Sequence, residues 1–103
     1  MMKDGHPYTN ENGHEDKALV SDLPEEQQQI VLEWIANNFR PIKSVNYRHT
    51  SYGLKHALQK HTSIYLTNNQ FKDAMMQCGY YPKDVNDLNW FYRISERSPA
   101  FYL

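Results

Sequence analysis

The sequence predicts an α+β domain, mostly α, with three helices and a C-terminal β-hairpin. Three observations carry this. Apolar residues recur at helical spacing in three stretches, about 23–39, 51–61 and 68–78. Residues that cap helices stand at the start of each stretch. Near the end of the chain, Trp90, Tyr92 and Ile94 alternate with Phe91 and Arg93, a strand period of two.

Residues 1–20 carry Gly5, Pro7, Gly13, several Asn and many charges, with no apolar period, and read as a flexible polar tail. His6 and His14 within it could at most bind a metal weakly; a disordered polar tail is the reading taken, and no metal is assigned. The first helix follows Asp22, whose spacing to Glu25 resembles a capping box, with Pro24 in the first turn. Ile30, Val31, Trp34, Ile35 and Phe39 give it one apolar face, and Pro41 ends it. Residues 40–49 lose the helical period and read as a short extended segment. Thr50 or Ser51 opens the second helix, whose apolar face is Leu54, Ala57, Leu58 and His61. Gly53 weakens that helix by roughly 1 kcal/mol relative to Ala, which implies a neighbouring backbone close by. The third helix opens on Thr67-Asn68-Asn69-Gln70, a capping box, and closes on Gly79. Phe71, Ala74, Met75 and Cys78 form its apolar stripe. Residues 80–81 and 88–95 read as the two strands of a hairpin around the polar stretch Pro82–Asp87. Phe101, Tyr102 and Leu103 make the short tail 98–103 apolar enough to dock. The predicted core is Trp34, Leu54, Leu58, Phe71, Met75, Trp90 and Tyr92.

Composition and charge narrow the classes. The 103 residues are 40% hydrophobic and 22% charged, as in an ordinary globular domain. Apolar runs last only a few residues (Ile30–Leu32 is one), too short to span a membrane. The first residues lack the apolar core of a secretory signal, and the one cysteine, Cys78, has no disulfide partner within the chain, so a reducing cytoplasm is expected. A formal net charge of −1 hides an asymmetry. Residues 1–38 hold eight acids against two lysines; residues 39–83 hold seven Lys and Arg against Asp73 alone. That pattern points to a charged partner. Gly-rich phosphate loops, a serine elbow and zinc-protease spacing are missing, so no enzyme and no cofactor is expected.

Helix, extended piece, helix, tight link, capped helix and hairpin, in that order, make a winged helix-turn-helix-like domain over residues 21–97. In such a domain the third helix enters the major groove of duplex DNA. Its outward row would be Asn68, Asn69, Lys72, Asp73, Met76 and Gln77. Asn and Gln can read adenine edges, and Lys can reach guanine or phosphate. Lys55, Lys60 and Lys83 would hold the backbone from the second helix and the wing. The expected partner is therefore duplex DNA. The alternative is a protein–protein interaction module on the same scaffold, modulating or inhibiting a host or phage protein.

The stretch Ser51-Tyr52-Gly53-Leu54-Lys55-His56, then Thr67, Asn68, Phe71, Lys72, Ala74 and Met75, the Gly79-Tyr80 turn, and Leu88-Asn89-Trp90 with Ile94 resemble small phage and prophage accessory proteins of Gram-positive bacteria. The resemblance spans roughly residues 39–97. It implies a phage or mobile-element accessory role and, more loosely, the winged-helix ends of phage replication proteins.

Overall fold

The computed structural model describes residues 1–102 of the chain. Its order is β1 (Met2–Lys3), β2 (His6–Pro7), a 3-10 turn (Val20–Asp22), α1 (Glu25–Asn38), β3 (Pro41–Asn46), α2 (Ser51–Thr62), α3 (Asn68–Gln77), β4 (Tyr92–Ile94) and a last 3-10 turn (Pro99–Phe101). The three predicted helices stand within two residues of their expected limits. The result is a mostly helical α+β domain with two small antiparallel sheets, β1–β2 and β3–β4. This order is compatible with a winged helix. Among the described residues no helix is long and apolar enough to cross a membrane.

The core forms where the three helices meet. Val31 and Ile35 of α1, Leu54 and Leu58 of α2, and Phe71, Ala74 and Met75 of α3 are buried together with Phe39, Leu66, Trp90, Tyr92 and Ile94. Trp34, expected inside, lies at the core's edge, edge-on to Phe39 and stacked on His61. Thr50 caps α2 by accepting from the Gly53 amide, and Thr67 and Gln70 form the reciprocal box on α3. Gly79 has φ +88°, the left-handed geometry a C-terminal glycine supplies without a Cβ penalty. Asp22 does not cap α1. Its carboxylate accepts from the Leu19 amide instead, closing the 3-10 turn before the helix.

Residues 1–20 are not a loose tail. Lys3-Asp4-Gly5-His6 is a two-residue hairpin turn, with positive φ at Asp4 and Gly5, that pairs β1 with β2. Asn10 then folds the next turn by accepting from the amides of Asn12 and His14, and Thr9 bridges to Glu15. Pro7, Thr9 and Val20 are buried against α3. An apolar period is absent here because backbone carbonyls and amides make the attachment.

The hairpin of residues 80–81 with 88–95 does not form. β4 pairs with β3, reached from the other side of α2, with Pro41 opposite Ile94 and Asn46 opposite Tyr92. Pro82 has no amide to donate, and one backbone bond, Lys83 N to Phe91 O (2.9 Å), with the Trp90 Nε1 bond to Val85 O (3.3 Å), joins the loop to the segment before β4. Along β3 the pairing advances five positions while β4 advances two, so the intervening residues bulge out and Ile42, Lys43 and Ser44 are all exposed. Ser51 fixes Trp90 from both sides. Its amide donates to the Trp90 carbonyl, and its hydroxyl accepts from the Trp90 amide. In the final segment Phe101 docks on Phe39 and His49, while Tyr102 is exposed. Leu103 lies outside the described residues.

Gly53 has open space where a Cβ would stand, so the expected close backbone is absent. Gly53→Ala should therefore stabilise the protein by about 0.5–1 kcal/mol in urea unfolding. Leu58→Ala, which empties a fully buried site, should cost about 2–5 kcal/mol in the same measurement.

Candidate nucleic-acid interface

The row on α3 expected to face a DNA groove is largely turned inward, with Asn69 and Asp73 against the N-terminal segment. Asn69 Nδ2 donates to the carbonyls of Pro7 and Ala18, both at 2.9 Å. Asp73 accepts from the Val20 amide at 3.0 Å and lies 3.3 Å from His6 Nδ1. Gln70 Nε2 donates to Leu19 O, and Asn68 Nδ2 donates to Asn89 Oδ1. Asn68, Asn69, Lys72 and Asp73 are all buried. They face inward, not outward as the sequence suggests, and cannot read bases in this arrangement. The reason lies in the chemistry of the row: Asn, Gln and Asp side chains bind peptide carbonyls and amides as readily as they bind water or bases.

Lys72 is the most constrained of the expected contacts. Its Nζ lies 4.9 Å from the centre of the Trp90 ring and has no hydrogen-bond partner among the described residues. Burial pushes its pKa down to about 8, against the opposing pull of Glu11. Lys55 is buried too, its ammonium 5.1 Å from the ring centres of Tyr52 and Tyr65. Burial lowers its pKa, and Glu11 again opposes. Both ammonium groups are thus held by aromatic faces within reach of one carboxylate. Met76 is half-buried against the core, and Gln77, though exposed, donates to Asp73. Of the eight expected contacts only Lys60 and Lys83 are exposed and unpaired with α3. They belong to different elements: Lys60 lies near the C-terminal end of α2, and Lys83 in the loop after α3, its ammonium against the Tyr47 ring.

Free cations collect instead at the β3–β4 end. Lys43, Arg48, Lys83 and Arg93 are exposed there. Lys83 Nζ sits 5.3 Å over the Tyr47 ring, and Tyr47 packs on Phe91 at 5.3 Å. On β4, Tyr92 and Ile94 point inward, so Arg93 points out. Beside Arg93 an open groove of about 350 Å³ is bordered by Pro41, Ile42, Cys78, Gly79, Tyr80 and Tyr81, with no carboxylate. Its floor is fixed: Tyr80 donates its hydroxyl to Phe39 O, and Gly79 and Tyr80 amides return to Met76 and Met75 carbonyls. Burial raises the Cys78 and Tyr80 pKa values, so both stay neutral near pH 7.

One nearby acid is already engaged. Glu96 accepts from Asn46 Nδ2 at 2.7 Å and lies 2.7 Å from His49 Nε2; the Asn46 bond, then His49 and Arg48, hold its pKa down. Asp84, in the loop beside Lys83, accepts from the Asn86 amide and forms no ion pair among the described residues. Tyr47, Tyr81, Lys43 and Arg93 were not among the expected contacts. The signal for them was aromatic residues interleaved with bases outside any helical period. Among the described residues, no three His, Cys, Asp or Glu side chains are grouped to hold a metal ion. No known family model, curated protein or solved structure matches the chain.

The unfolded chain holds the Lys72 proton more tightly than the folded one, so Lys72 makes stability rise with pH from about 8 towards the ordinary lysine value of 10.5. Lys55 acts in the same direction, and Cys78 and Tyr92 act oppositely at high pH, because burial raises both. The contrast between wild type and Lys72→Met isolates the Lys72 part. Lys72→Met should melt higher at pH 7, with the gap closing by pH 10; a gap constant across that range contradicts the assignment.

Proposed function

We propose that the protein binds nucleic acid through its β3–β4 end, with Lys43, Lys83 and Arg93 on phosphates and exposed rings against the bases. The observation that carries this reading is the gathering of exposed cations and aromatic faces at one end, where Glu96 is already held by Asn46 and His49. It keeps the nucleic-acid partner that the charge asymmetry suggests and moves the contact from α3 to the sheet. A phage or mobile-element accessory role, as the resemblance implies, is part of the same proposal.

A protein partner is the second reading. It draws on apolar side chains left in water on the same end, Ile42 at 41% exposure among them. Salt dependence separates the two. Three phosphate contacts give a log–log salt slope of about −2.7 on duplex DNA and about −2.1 on a single strand. Arg93→Ala should flatten the slope by about 0.9 or 0.7 respectively, while Lys60→Ala, at the other end of α2, should leave it unchanged. Fluorescence anisotropy with mixed-sequence DNA from 50 mM salt upward is the test. Absence of binding to either form at tens of micromolar protein would end the nucleic-acid reading in favour of the protein partner.

A further inference from the structure

We infer that the groove beside Arg93 holds an unstacked base, so that the form of nucleic acid bound at this end is single-stranded; this rests on the nucleic-acid reading above. Three features of the groove support it, and each bears on a different part of a nucleotide.

The base needs a planar apolar face. Tyr81 provides one: it is 62% exposed, and its ring stacks on no other aromatic among the described residues. Ile42, also exposed, borders the same space. A ring left in water beside a preformed hollow is a stacking platform, and stacking tolerates any base because every base has a π-face. The other exposed tyrosine of this end, Tyr47, already has Phe91 and the Lys83 ammonium against its ring.

The phosphate needs a cation without a competing acid. Arg93 borders the groove, no carboxylate does, and Lys43 stands exposed on the adjoining bulge. An apolar peptide would not need that rim, and an acidic peptide would not need the ring. Ring and cation together match a nucleotide.

The base also needs to be free of its partner strand. In a duplex the faces of the bases are stacked on one another and only their edges reach the grooves. α3, the element of suitable shape for a major groove, is covered by residues 1–20. The rigid floor, set by the Tyr80 hydroxyl and the Gly79 turn, means the hollow exists before anything binds, so little ordering is required.

The test compares a 12-nucleotide mixed-sequence single strand with its duplex, by anisotropy, on the full chain. The single strand should bind more tightly. Tyr81→Ala should weaken single-strand binding about 5- to 140-fold, the equivalent of about 1–3 kcal/mol of stacking, and leave duplex binding within about twofold. Tyr81→Phe should keep the single-strand affinity, since the ring and not the hydroxyl does the stacking. Tyr81 is exposed, so both variants should melt with the wild type, which separates binding from folding. Duplex bound as tightly as single strand, or Tyr81→Ala without effect on the single strand, overturns the base-holding groove while the sheet-end reading stands. Failure of both DNA forms to bind overturns the two together.

Discussion

One turn of α3 carries the contacts on which the arrangement depends. Asn69 gathers the carbonyls of Pro7 and Ala18, which are separated by the whole turn at Asn10, and Asp73 takes the amide of Val20. These bonds convert a polar helix face into an interior surface. Once that face is dry, the Lys72 ammonium has no water to reach and settles over Trp90. Trp90 is in turn tied to the first residue of α2 through Ser51. It thereby sets where β4 leaves the core and which residues the sheet end displays. A buried hydrogen bond to a charged carboxylate is among the stronger ones, and removing one partner leaves the other unsatisfied. Unsatisfied atoms already remain here: Asn68 Oδ1, Asn69 Oδ1 and Thr9 Oγ1 lack partners among the described residues.

The helices were legible because their evidence is redundant. Apolar spacing, caps and breakers agree for α2 and α3, and the Thr67–Gln70 box forms as its four letters suggest. The N-terminal segment was read by composition, which registers missing apolar surface and nothing else. Yet Asp4-Gly5 between Lys3 and His6 is a strong hairpin signal, and Asn10 is a natural turn former. Local turn chemistry would have found the fold of those residues; their attachment to α3 is a long-range polar match that no period records. The wing was misplaced for a related reason. Two strands close in sequence attract a hairpin reading, whereas β3 and β4 are joined through the two helices between them.

For the proposed site, the charge segregation draws attention to residues 39–83, but the helical pattern within it draws attention to an α3 row that is largely buried. An outward row of Asn, Lys and Gln looks the same whether it meets solvent, base edges or a peptide backbone. Lys55 and Lys72 illustrate the point: both belong to the basic stretch, and both are spent inside on aromatic rings. Lys43, Lys83 and Arg93, which stay in water, come from a bulged strand, a loop and the middle of a three-residue strand, where periodicity is weak.

Enclosure of α3 on both sides also bears on how such a chain can vary. One side of the helix must fit Phe71, Ala74 and Met75 into the core, and the other must match carbonyls and amides of a particular segment. Substitutions there are penalised whichever way they point, so α3 has little freedom to drift. The bulge of β3 and the turn-rich stretch 82–87 carry few such obligations; they can accept exchanges, even insertions, at small cost. Diversity among related chains would then accumulate at one end of the molecule, and new preferences would arise there without the framework being rebuilt.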